Sequence, residues 1–490
     1  MTKNRKIILG LALSLIVVIA LCLFNAFTLT SKQIRVVAAK HIIIDKSCGF
    51  RLSKAIQFKT ISPSNNGLID TSEFLGFHTF LKEAFPLVNK NLSLEKINDL
   101  SLLYCWEGTD KNLQPLLLMA HQDVVPIDSS SSNKWNFGPF SGTISNEYIY
   151  GRGTLDVKSS LLGQLEAIEF LLKQGYSPKR TIYLAFGHDE ETGGHHGAKK
   201  IVEHLAKRGE KLDFVLDEGG SIVSDMVPGI TRPIALVGIA EKGYLSLELT
   251  VDDEGGHSSM PPRQTAIGIL SSAITKLEAN PFPFKIGGAG TQLFDYLAPE
   301  MNFGARLIFG NSFLFSPVIK WKLGQNNATR AILHTTLATT SFSSGDKDNV
   351  LPTRARSIVN FRIIPGESIS SVQNYVEKVI NDKRIKIRKA SKFCFEPSVV
   401  SKTDSKQFLI LHQTISSLFP DALVAPFLAV GSTDSRHFQK LTKNIYRFVP
   451  IRFEKEDLPR VHGINERISV SAYHESINFY IHLLKNSSKK

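Results

Sequence analysis

Five short runs carry the residue types that zinc selects, imidazole nitrogen and carboxylate oxygen: His121-Gln122-Asp123, Gly153-Thr154-Leu155-Asp156, His188-Asp189-Glu190-Glu191, Asp217-Glu218 and Val461-His462-Gly463. A pair of metals a few Å apart needs about five protein ligands, with one carboxylate shared between the two ions. The chain supplies such a set, mostly at the ends of apolar runs. A catalytic zinc also keeps one position open for water. The set therefore reads as the wall of a two-zinc hydrolytic centre. Single members carry little weight alone, because most adjacent acids are solvated charges in loops or at helix N-termini.

The runs that precede these clusters indicate how they are positioned. Leu116–Ala120, Ile182–Gly187 and Phe214–Leu216 are short and apolar throughout, the pattern of parallel strands buried on both faces. Between the first two, Leu161, Leu165, Ile168 and Leu172 share one helical face, and Gly175 follows as a stop. Ala198, Ile201 and Leu205 repeat the pattern before Gly209. Ligands of a parallel α/β sheet bind beyond the carboxyl ends of its strands, where His121, His188–Glu191 and Asp217–Glu218 fall.

From residue 241 the period changes. Leu245, Leu247, Leu249 and Val251 alternate as in a half-buried antiparallel strand, and a helix with Ile267, Leu270, Ile274 and Leu277 follows. Val359, Phe361 and Ile363 alternate again before a helix carrying Val372, Val376, Val379 and Ile380. The expected organisation is an N-terminal leader (1–31), a mostly parallel α/β catalytic domain in two parts (45–240 and 393–485), and a smaller α+β lid (241–392) inserted between them. The irregular middle of that insertion, about 281–345, has no period that assigns it.

Composition excludes several classes. With 490 residues, 42% of them hydrophobic, and 31 Phe, the chain can fill more than one sizeable core. Its net charge of +13 is scattered, with no basic block or aromatic-interleaved stripe, so no nucleic-acid partner is expected. The four Cys, at 22, 48, 105 and 394, form neither a disulfide scaffold nor a thiolate metal site. Lys3, Arg5 and Lys6 precede the uncharged stretch 7–27. That stretch exceeds the roughly 7–15 residues of a signal-peptide core and matches the roughly 20 of a membrane span. Both an uncleaved anchor and a cleaved signal stay open, and either places residues from about 32 onward in the secretory lumen or outside the cell. Sequons at Asn91, Asn327 and Asn486 are compatible with export.

From about residue 50 to 482 the chain resembles the zinc-dependent metallopeptidase superfamily of aminoacylase-1, carnosinase and acetylornithine deacetylase. It is most similar to the branch of vacuolar carboxypeptidase S and the secreted N-fatty-acyl-amino-acid synthase/hydrolase. The stretches Leu118 to Pro126, Tyr150 to Asp156, Gly187 to Gly194, Leu216 to Gly220, Gly431 to Arg436 and Arg460 to Glu466 carry the likeness in the family's order. The resemblance implies two zinc ions per chain, held by His121, Asp156 as the shared ligand, Glu191, Asp217 and His462. Glu218 is the alternate to Asp217, which is favoured because it directly ends its strand. Asp123 would orient a ligand rather than touch metal, and Glu190 would be the general base. His257, in Gly-Gly-His-Ser-Ser, resembles the lid histidine that supports the oxyanion, supplied in dimeric relatives by the opposite subunit. Asn349 and Arg362 resemble positions that hold a substrate carboxylate, to which an Arg fork is suited. Gly431 and Asp434 would shape the pocket floor.

The implied activity is a di-zinc amidohydrolase that cleaves, and in that branch also forms, N-acyl amino acids, with fatty-acyl amides favoured. The alternatives are a carboxypeptidase or dipeptidase on short peptides and an inactive membrane-anchored binding protein. A homodimer through the lid accompanies the first reading, and the Phe-rich segment around 293–315 suggests a lipid-accepting surface.

Overall fold

The computed structural model describes residues 3–63, 68–225, 227 and 229–488. Its large sheet begins with β1 (Ser93–Ile97), β2 (Ser101–Trp106), β3 (Leu116–His121), β4 (Ile182–Gly187), β5 (Phe214–Asp217), β6 (Ile222–Val223) and β7 (Ile234–Glu241). The chain then leaves for a second sheet of β8 (Gly243–Asp252), β9 (Thr336–Ser343), β10 (Arg354–Ile363) and β11 (Ile385–Lys389). It returns with β12 (Leu423–Ala429), β13 (Ile445–Arg447) and β14 (Arg452–Phe453). The helices used below are α1 (Lys3–Thr28), α2 (Lys158–Lys173), α3 (Ala198–Lys207), α4 (Ala266–Ala279), α5 (Phe303–Gly310), α6 (Ser312–Gly324), α7 (Ile369–Ile380) and α8 (Val470–Ser487).

The large sheet runs β1-β2-β4-β3-β5-β13-β7-β6-β14, with β12 alongside β7. Its centre, β4-β3-β5-β13, is parallel, whereas β1 and β2 close one edge antiparallel. Every residue of β3 and β4 is buried because helices cover both faces. Leu116, Leu118, Leu184 and Phe186 pack with Leu161, Leu165 and Ile168 of α2. Leu117, Met119, Tyr183 and Ala185 pack on the opposite side with Ala198, Ile201 and Leu205 of α3. Each fully buried Leu or Ile contributes about 1.5–3 kcal/mol, which is why continuous apolar runs specify the centre of the sheet. Gly209 ends α3 at φ 75°. There the amide of Glu210 donates to Leu205 O and that of Gly209 to Ala206 O, closing the last turn.

The second sheet has the order β9-β10-β8-β11 and is antiparallel throughout. Leu245, Leu247, Leu249, Val359, Phe361 and Ile363 form its buried face, covered by Leu270 and Ala273 of α4 and Val372 and Val376 of α7. On the other face Glu248 lies between Arg356 and Arg388. The segment between α4 and β9, which has no periodicity, folds as short helices. Its first part leaves this sheet, and Phe294, Tyr296, Leu297 and Met301 pack into the main core. The alternating periods of 245–251 and 359–363 reappear as paired strands, but the Phe-rich middle takes its structure from long-range packing.

One buried group makes the fold acid-sensitive. His412, on the helix Lys406–Leu418, is 1% exposed, and burial pushes its imidazole down to about 4. The unfolded chain takes up this proton near pH 6.5. The contribution is thus present above that value and is lost as pH falls toward 4, by at most about 3 kcal/mol. The Tm of the parent is expected to fall more steeply than that of His412→Gln between pH 6.5 and 4.5.

Candidate metal centre

His121 closes β3 opposite Gly187 of β4, which sets the His188–Glu191 turn beside it. Glu218 follows β5 at the same edge of the sheet. The Nδ1 of His121 lies 2.8 Å from the carbonyl oxygen of Asp123. That oxygen can only accept, so in the neutral ring Nδ1 carries the hydrogen and Nε2 keeps its lone pair. Nε2 faces Asp156 Oδ1 at 2.8 Å and Glu218 Oε1 at 3.3 Å. The other oxygen of Asp156 lies 2.9 Å from His462 Nε2, which is 3.3 Å from Glu191 Oε2. Two triads thus share one carboxylate: His121, Asp156 and Glu218, and Asp156, Glu191 and His462.

Buried polar partners hold these side chains. The Asp123 carboxylate accepts from Ser62 Oγ at 2.6 Å and from the amides of Glu190 and Glu191 at 3.2 and 3.1 Å. It thereby fixes the turn that carries both glutamates. Glu466, fully buried, accepts from the amides of Gly153 and Leu155 at 2.9 and 2.8 Å and pairs with Arg152 at 2.6 Å. Arg152 in turn donates to the carbonyl of His462 at 3.0 Å. One ion pair therefore ties the Asp156 loop to the His462 loop. His462 sits at φ 58°, a left-handed conformation uncommon outside glycine. A Cβ on the following Gly463 would lie 2.0 Å from the Pro459 carbonyl oxygen, so that loop requires glycine.

The electrostatics of the cluster call for a cation. Burial, together with the neighbouring Asp156, pushes Glu218 up to about 8. Burial also raises Glu191, and it raises Glu190 well above the carboxylate range, helped by Asp434, Glu218 and Glu191. Burial acts in the same direction on Asp156, but the imidazoles of His121 and His462 overcome it and hold that carboxyl low. Glu191 Oε1 is buried without a hydrogen-bond partner. The same carboxylates raise His121 against its burial and push His462 up to about 10, so without a metal protons must sit between nitrogen and oxygen, and a divalent cation can take their place. The donor set of nitrogen and carboxylate oxygen fits zinc.

Asp217, expected as a ligand because it ends its strand, stands apart from the cluster: its Oδ2 accepts from the amide of Ser435 at 2.9 Å, inside the protein. Successive side chains point to opposite sides of an extended chain, and it is Glu218 that turns to the cluster. His121, Asp156, Glu191 and His462 are brought together, with Asp123 and Glu190 beside them. Of the remaining candidates only Asp434 lies against the turn that carries the two glutamates. His257 lies on an exposed two-stranded ribbon and Asn349 in the turn that leads into its other strand, where Ser258 N donates to Asn349 O. Arg362, on β10, lies over the Tyr244 ring at 4.7 Å. Gly431 is in an exposed loop, and Asp434 is buried against Gly187 and Gly194. Sequence reasoning assigned nothing to Arg152, Glu466 or Ser62. The signal for Glu466 was its position closing the Arg-x-His-Gly-x-Asn-Glu motif.

Glu466→Gln keeps the shape but not the ion pair with Arg152. Partners that orient ligands typically govern metal affinity by about 10–100-fold, and that loss of zinc affinity is expected in competition with a chelator.

A parallel-centred α/β sheet with paired histidine-carboxylate triads at its carboxyl edge defines a metal-dependent hydrolase. The chain belongs to Peptidase family M20/M25/M40, whose description matches residues 117–486. It is 43% identical over 496 residues to "Probable carboxypeptidase S-like 2" of Dictyostelium discoideum, covering 99% of this chain and 93% of that one. It is 41% identical over 443 residues to human "N-fatty-acyl-amino acid synthase/hydrolase PM20D1", covering 89% of this chain and 87% of the relative. Among solved structures, an M20 family metallo-carboxypeptidase from Sulfolobus solfataricus matches with a TM-score of 0.65 and 20% identity, over 91% of this chain and all of that one. The chain is a zinc-dependent metallohydrolase.

Proposed function

We propose that the chain is a di-zinc hydrolase of N-acyl amino acids, with fatty-acyl amides as the favoured substrates. The observation that carries this reading is the pair of triads sharing Asp156. His121, Asp156 and Glu218 would hold one zinc, and Asp156, Glu191 and His462 the other. Zinc, when bound, polarises an amide carbonyl and lowers the pKa of a coordinated water to about 7. Glu190 stands beside both triads, belongs to neither, and has a carboxyl whose basicity is raised by burial and like charge. It takes the proton of the attacking water as the water oxygen bonds to the acyl carbon. It returns that proton to the amide nitrogen as the C–N bond breaks, leaving a carboxylic acid and a free amino acid. Arg362 and Asn349 would hold the substrate's carboxylate end, and Gly431 would shape the pocket floor. His257, exposed on its ribbon, would support the oxyanion from the partner subunit of a lid-mediated dimer.

The acyl-amino-acid reading draws support from the activity for which the human relative is named, and a peptidase reading from the name of the Dictyostelium one. The apolar helix α1, only 6% buried over its most hydropathic stretch, supports a signal-anchor with the catalytic body outside the cytosol. Turnover of an N-oleoyl amino acid by the zinc-loaded chain is expected to exceed that of a dipeptide under equal conditions. A clear preference for the dipeptide would transfer the assignment to peptides.

A further inference from the structure

Helices α5 and α6 form an apolar hairpin whose outer face, among the described residues, has no partner. On α6, Phe313, Leu314, Val318 and Trp321 are 75%, 46%, 45% and 65% exposed. Together with Pro317 they recur at helical spacing and form one stripe. The opposite side of α6 carries Ile319, buried at 4%. Exposed apolar patches of this kind mark interaction surfaces.

The hairpin is fastened to α1 at both ends of α5. Phe303 of α5 packs on Phe27, their ring centroids 5.1 Å apart. Asn311 receives a hydrogen bond from Asn25 Nδ2 at 2.9 Å and donates from its own Nδ2 to the carbonyl of Cys22 at 2.9 Å. Cys22 and Ala26, buried here, are the buried residues of α1. At 1.5 Å per residue the 26 residues of α1 extend about 39 Å, against a bilayer hydrocarbon core of about 30 Å. Residues 22–27 therefore fall near the outer boundary of a membrane crossed by α1. The hairpin starts at that level, with Lys320 and Lys322 flanking Trp321, an arrangement suited to headgroups.

We infer that α5–α6 is an interfacial membrane element, its stripe of Phe313, Leu314, Val318 and Trp321 seated in the outer leaflet beside α1. The occupant of the apolar face is lipid. This rests on the reading of α1 as an anchor, and the test separates the two. The full zinc-loaded chain is reconstituted into phosphatidylcholine vesicles with and without lipids brominated near the headgroup end of the acyl chain. Trp321 is one of three tryptophans, and Trp106 is buried. Bromolipid is expected to quench part of the emission, Trp321→Phe to abolish that loss, and aqueous iodide to leave the Trp321 component unaffected. Retention of the protein on vesicles after carbonate washing reports α1 independently. Retained protein whose Trp321 emission ignores bromolipid but responds to iodide overturns the inference, because the stripe then faces water. Shielding from both quenchers overturns it too, because protein, such as a second copy, then covers the face. Release by carbonate sinks the anchor reading and the inference with it.

Discussion

Glu190→Gln is expected to lower kcat for amide hydrolysis by about 10³-fold while leaving bound zinc unchanged. A positioned general base contributes about 10²–10⁴, and an amide of the same shape cannot accept the proton. Zinc is retained because Glu190 belongs to neither triad. The same change removes a carboxyl whose charge is disfavoured by burial and by Asp434, Glu218 and Glu191. The Tm is therefore expected to stay level or rise, the signature of a group kept for chemistry at the expense of stability. Turnover, zinc content and Tm on one preparation decide it. Activity within about tenfold of the parent, below the range for a general base, would take that role from Glu190.

The second large effect is Asp156→Ala. This carboxylate is the common member of both triads, so on the proposed two-zinc reading its loss is expected to remove both ions and all measurable turnover. His462→Ala removes a ligand from one triad only and is expected to keep about one zinc per chain, since His121 and Glu218 with the shared Asp156 remain. Elemental analysis after dialysis against a weak chelator distinguishes the two variants. Equal zinc content in both would show that Asp156 is not shared. Zinc competes with protons for these nitrogens and oxygens, so retention in the parent is expected to weaken as pH falls.

The parts legible in the sequence were those with a local physical signature. Leu116–Ala120 and Ile182–Gly187 could be recognised as central strands because burial on both faces forbids polar positions, and the ends of these strands located the site. Asp217 against Glu218 was not legible, since neighbours in an extended chain differ only in direction, which depends on the twist of β5 against Ser435. The role of Glu466 was hidden for another reason. Its place at the end of the Arg-x-His-Gly-x-Asn-Glu run is visible, but a carboxylate that accepts backbone amides from a loop 313 residues away leaves no spacing that shows what it binds. The α5–α6 hairpin had composition but no period, because α6 is apolar on nearly every side and its outward face meets no protein.

The Arg152–Glu466 clasp joins positions 314 residues apart, which has a consequence for biosynthesis. His121, Asp156 and Glu218 leave the ribosome well before His462 and its clasp. A nascent chain stalled in between carries half of a metal centre, with Asp156 lacking one of its two imidazoles and Arg152 its counter-ion. The triad of Asp156, Glu191 and His462 can be completed only once residue 462 has emerged, and truncation shortly before it should leave His121, Asp156 and Glu218 without that second triad.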